Sequence, residues 1–186
     1  GTVQKAVDAM RCGAADYLLK PFDAEVLVDM VNRYLPELRI KDATVVADPT
    51  NASNNVARVV KSATAELWAG TTVSTGANQS VDTIPFTATS TRMTVRVYSP
   101  RAGIPVRLKV EDAADPTHTV ETEALTTQVN TWETLTFDFA NPAAGTAALI
   151  LAFSYNKISI FFDFGTTGGA GGGGTFYFDD VLFIEP

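Results

Sequence analysis

From about residue 43 to its end the chain alternates apolar and polar residues, the period-two pattern of strands with one buried face. Met93, Val95 and Val97 point one way and Thr94, Arg96 and Tyr98 the other. Val106, Leu108 and Val110 oppose Arg107, Lys109 and Glu111. Leu135, Phe137 and Phe139 oppose Thr136 and Asp138, and Ile158, Ile160, Phe162 and Phe164 form a last inward set. Turn-forming stretches separate these segments: Ser99 to Gly103, Ala113 to Pro116, Asn141-Pro142, and Gly165 to Gly174. Short strands at this spacing with no helix between them predict a mainly β domain, an antiparallel β-sandwich. The tract Gly168 to Gly174 lacks the Gly-Lys-Ser/Thr ending of a phosphate loop and has strands on both sides. It is expected to be a flexible hairpin loop.

Residues 1–39 follow another rhythm. Val3, Ala6, Val7 and Met10 recur at helical spacing before Gly13, and Asp16 to Lys20 is a short apolar strand ended by Pro21. Asp23 can cap a second helix through Val26, Leu27, Met30, Val31 and Tyr34, with Pro36 as its stop. The expected organisation is a helix–strand–helix appendage at 1–39, a linker at 40–47 and the β-sandwich at 48–186, opening on the turn-rich stretch Asp48 to Asn55.

Charge narrows the partners. The net charge of −7 is concentrated in the β part, because residues 1–39 hold 5 of the 14 basic and 6 of the 21 acidic residues. An acidic domain without a basic run repels a phosphate backbone, so nucleic acid is not expected as a partner. The single cysteine, Cys12, leaves the β part without a disulfide, which a domain of this length does not need. No run of 18 apolar residues suggests a membrane span, and the start lacks the form of a signal peptide.

The run Ala9 to Phe22, with Lys20-Pro21-Phe22 at its end, resembles the last helix, strand and helix of response-regulator receiver domains. The resemblance implies that Lys20 stands where the family contacts the phosphoryl group, and Tyr17 where an aromatic reports activation. The phospho-accepting Asp and its acidic neighbours belong to earlier strands that are not in this sequence. A lone lysine cannot organise phosphoryl transfer. The fragment is of cytoplasmic type, and its strand edge offers a template for self-association.

Four segments carry a second resemblance: Asn55 to Lys61, Ala65 to Gly70, Thr131 to Phe139, and Phe176-Tyr177-Phe178-Asp179-Asp180-Val181. Together they resemble the jelly-roll carbohydrate-binding modules appended to secreted glycoside hydrolases, over roughly residues 43–186. The resemblance implies an extracellular or cell-surface setting, a polysaccharide ligand and a structural calcium near the meeting of the first and last strands. Asp179 would be a calcium ligand with Asp180 second, and the Asp48 to Asn55 loop and Glu66 would supply further oxygens. Alternation sends Asp179 and Asp180 to opposite faces, so only one of them is expected to reach an ion.

Sugar recognition uses aromatic faces framed by polar side chains. Tyr98 points away from Val95 and Val97 and is the best exposed candidate; Trp68 and Tyr155 suit core and ligand roles equally. Trp132 starts a strand explained by core packing. Arg96 and Arg107 could line a polar face suited to uronic or sulfated glycans, or pair across strands with Glu121 and Glu123. His118 is the only histidine, in an apparent turn with no nucleophile motif, and alternating Glu121 and Glu123 are ordinary on a strand surface. The expected function is non-catalytic binding of a β-glucan-like polysaccharide by a calcium-stabilised module. A structural or assembly sandwich is the alternative, and a sandwich hydrolase or lyase a more distant one.

Overall fold

The chain divides after Lys41 into two units. The computed structural model describes residues 43–73 and 79–185, which belong to the second, so the receiver-like segment and the self-association expected of it lie outside the described residues. Among the described residues the alternation read from the sequence becomes nine strands: β1 (Thr44–Asp48), β2 (Asn51–Lys61), β3 (Thr71–Val73), β4 (Arg92–Tyr98), β5 (Pro105–Glu111), β6 (Thr119–Leu125), β7 (Trp132–Asp138), β8 (Lys157–Phe162) and β9 (Gly174–Phe183).

Every pairing is antiparallel. One sheet has the order β1-β2-β9-β4-β7 and the other β3-β8-β5-β6. Their inner faces meet in a single core. Val95, Val97 and Phe137 from the first sheet, with Phe176, pack against Val106, Leu108, Val110, Ile160 and Phe162 from the second. Phe162 and Phe176 stack face to face between the sheets at 4.8 Å. The mainly β, sandwich architecture predicted from alternation is the one observed.

Three local expectations need correction. β1 starts at Thr44, inside the stretch expected to be a linker, and the chain turns only at Pro49-Thr50 before running extended from Asn51. The inward set of β8 ends at Phe162, because Asp163 takes a left-handed backbone (φ 51°) that breaks the alternation. Phe164 then lies half-buried against Phe161 and under the Arg107 guanidinium, 3.6 Å from its ring centre.

The glycine tract is packed rather than loose. Gly168–Ala170 makes a 3₁₀ turn capped by Thr167, and Gly168 is buried so tightly that a Cβ would collide with the Ser62 carbonyl. Arg101 holds the same loop from the far side, donating to the Gly171 carbonyl at 2.8 Å and the Gly173 carbonyl at 3.3 Å, with Asp163 as its ion partner at 2.9 Å. The buried Lys61 joins the two sheets here, its ammonium donating to the carbonyls of Phe162 and Asp163 at 3.2 and 2.5 Å. Burial pushes its pKa down, since the low-dielectric interior disfavours the charged form.

Candidate functional site

The outer face of the five-stranded sheet carries one continuous cross-strand row. Arg58 on β2 is opposite Tyr177 on β9, Tyr177 is opposite Tyr98 on β4, and Tyr98 is opposite Trp132 on β7. The alternation that buries Phe176, Phe178, Val97 and Leu135 turns these residues outward. Tyr98 meets both neighbours edge-on, with ring centres 5.7 Å from Tyr177 and 5.6 Å from Trp132. Tyr98 and Tyr177 line an open cleft of about 540 Å³, with Pro49 from the β1–β2 turn, Pro100, Arg101, Asn130 and Gly173 to Thr175 around them. All of the row is half-buried, so stems are fixed while outer faces remain accessible.

The turn that supplies Pro49 is held by an unusual reach. β2 pairs with β9 only over Ala57–Lys61, leaving the far end of the β1–β2 hairpin without that neighbour. Its tip instead bonds across the sheet to β7. The Trp132 indole N–H donates to Asp48 Oδ1 at 3.0 Å and contacts Thr50 Oγ1 at 3.1 Å. The Asp48 side chain is 1% exposed and also accepts from the Thr50 N–H, the Thr50 hydroxyl and the Asn54 amide. Burial alone would raise its pKa. The hydrogen bonds from Thr50, Trp132 and Asn54 together outweigh that effect and hold the carboxyl far below the usual carboxylate range.

Asp179 joins the same group, accepting from Asn54 at 3.0 Å. Between the carboxylates lies Arg96, 3.5 Å from Asp48 Oδ2 and 3.6 Å from Asp179 Oδ2, with its guanidinium 4.2 Å from the Trp132 ring centre. Two of the residues expected to hold calcium therefore do converge, but on an arginine. Calcium requires six to eight oxygen ligands. What surrounds these carboxylates is N–H and O–H donors and a guanidinium, the wrong sign for a cation. Glu66 and Asp180 are exposed. Among the described residues no group of three or more His, Cys, Asp and Glu side chains could hold a metal ion. The set Asp48, Glu66, Asp179 and Asp180 does not fit calcium, and Arg96 supplies the positive charge instead.

The other expected site residues divide. Tyr98 faces outward as read from β4. Tyr155 is 1% exposed, with its hydroxyl bonded to the Ile150 backbone, so it offers no ring face to a ligand. Trp132, read as core, points outward. Trp68 is 58% exposed but lies outside the cleft, on the loop before β3 of the other sheet. Arg107 is used up: it pairs with Glu121 at 2.9 Å and Glu123 at 2.8 Å while covering Phe164. Those two glutamates are thereby bound to one cation. His118 is stacked on Phe153 between Asp112 and Asp115 rather than projecting into solvent. Tyr177 was missed; its place in the alternating Phe176-Tyr177-Phe178 strand was the signal that could have found it.

No protein-family model matches the chain. Among curated proteins, the N-terminal region is similar to the response regulator protein FleR of Pseudomonas aeruginosa, 42% identical over 76 residues. The match takes in 38% of this chain and 16% of that protein, so the chain spans about a sixth of the relative's length.

Proposed function

We propose that the β-sandwich is a non-catalytic module that binds a polysaccharide, with the cleft over Tyr98 and Tyr177 as its site. The observation that carries the reading is two outward tyrosines, braced edge-on by each other and by Trp132, flooring an open cleft. Half-exposed aromatic faces stack on the apolar faces of sugar rings, and Asn130, Thr175 and the tyrosine hydroxyls supply hydrogen bonds to sugar hydroxyls. Pre-braced side chains lose little rotamer freedom on binding, which favours affinity. Binding without cleavage is favoured because Glu121 and Glu123, the paired carboxylates of the second sheet, are both ion-paired to the one Arg107 guanidinium. Gel electrophoresis through laminarin, mixed-linkage glucan, xylan and alginate tests the reading. Retardation that is lost in Tyr98→Ala and Tyr177→Ala supports it, and unretarded migration of the folded protein in every gel contradicts it.

A further inference from the structure

One cation in the row of side chains bears on the charge of the ligand. Arg58 is the one lysine or arginine among the described residues that has no anionic or carbonyl partner. Arg96 is taken by Asp48 and Asp179, and Arg107 by Glu121 and Glu123. The remaining cations are likewise engaged. Moreover, the Arg58 Nε is buried and makes no hydrogen bond. A buried donor without an acceptor carries the full cost of its lost hydration, and such a group calls for an explanation.

Position supplies one. Arg58 is directly opposite Tyr177, at the β2 end of the row that runs through Tyr98 to Trp132. Neighbouring strands lie about 4.8 Å apart, so the guanidinium's strand is about one sugar ring's width from the tyrosine flooring the cleft. A chain of sugars stacked over Tyr98 and Tyr177 and continuing along the row brings its next unit to Arg58. Guanidinium binds carboxylate in a two-pronged, charge-assisted geometry that a neutral hydroxyl cannot match.

We propose that Arg58, which stands beside the cleft as the cross-strand neighbour of Tyr177 without lining it, is the specificity-determining residue for the ligand, and that it selects a glycan carrying carboxylates, a uronic acid polymer. This inference rests on the polysaccharide-binding reading. It also moves the acidic-sugar role from Arg96 and Arg107, whose charge is already neutralised, to the arginine that is free.

The test is titration calorimetry of the full chain with oligogalacturonate, oligoalginate and a neutral β-glucan oligosaccharide, on wild type, Arg58→Ala, Arg58→Lys and Tyr98→Ala. The expected result is tighter binding of a uronate oligomer, weakened 10-fold or more in Arg58→Ala, partly kept in Arg58→Lys and reduced by added salt. Binding of neutral glucan at full strength in Arg58→Ala, with no uronate preference in wild type, overturns the role of Arg58 and leaves the module reading intact. Binding of none of the three by folded wild type overturns both. A thermal melt of each variant separates loss of binding from loss of fold.

Discussion

The indole N–H of Trp132, on the edge strand β7, donates to the buried carboxylate of Asp48 at the tip of the β1–β2 hairpin on the far side of the same sheet. This bond decides the shape of the cleft, because it holds the turn that contributes Pro49 over the tyrosine row. Removing it should loosen the hairpin without emptying the core. Trp132→Phe keeps a ring for Arg96 to cover but deletes the donor, and it should lower the melting temperature by a few degrees. Hydrogen exchange should rise in Thr44 to Asn54 and stay unchanged in β5 and β8; a uniform rise would show that Trp132 acts as ordinary core.

Calcium should be irrelevant to stability. Because Arg96 lies between Asp48 and Asp179, chelator and millimolar calcium should give the same melting curve within error. Arg96→Ala leaves both carboxylates facing each other without a cation, and it should destabilise the protein by more than Arg92→Ala, whose side chain is 61% exposed. Scanning calorimetry with and without chelator checks both statements.

Acid should unfold this domain, and the direction follows from two carboxylates. Glu111 is buried; burial would raise its pKa, but bonds from Lys109 and Lys157 lower it below 4.5. Asp48 is held below 3.8 by its hydrogen bonds despite burial. A carboxyl whose folded pKa is depressed stabilises the fold above its unfolded value and loses that contribution as pH falls through the folded one. Stability should therefore be flat from neutral pH down to about 5 and fall steeply below 4. Urea midpoints measured across that range give the profile, and Lys157→Met should reduce the slope around pH 4 relative to wild type.

The glycine loop yields a packing prediction. Gly168→Ala places a methyl group into the Ser62 carbonyl and should cost about 1–3 kcal/mol as overpacking. Gly103→Ala meets open space but a left-handed backbone (φ 74°), so its cost should be smaller, about 1 kcal/mol. Phe137→Ala, in the fully buried core, should exceed both at about 3–5 kcal/mol. Chemical denaturation ranks the three.

Alternation made the fold legible, since β4, β5, β7 and β8 bury the residues that their period-two patterns indicate. It failed where the backbone changes phase: Asp163 at positive φ sends Phe164 outward, and one residue's shift reverses the face. Tyr98 was legible because its whole strand alternates. Trp132 was not, because an aromatic at a strand start satisfies a core reading equally well, and only the distant Asp48 reveals its use. The pairing of Arg96 with Asp48 and Asp179 joins residues far apart in sequence across three strands, which no local pattern contains. The burial of Tyr155 likewise depends on the Ile84 backbone and the Phe86 ring arriving from another segment.

The most direct measurement maps a soluble oligosaccharide onto the ¹⁵N-labelled full chain by amide shift perturbation. The account predicts shifts concentrated at Tyr98, Asn130, Gly173 to Thr175 and Tyr177, extending to Arg58 for a uronate and absent in Tyr98→Ala. Shifts centred instead on Trp68, Arg107 and Phe161, or none at saturating neutral and acidic oligosaccharide, would contradict it.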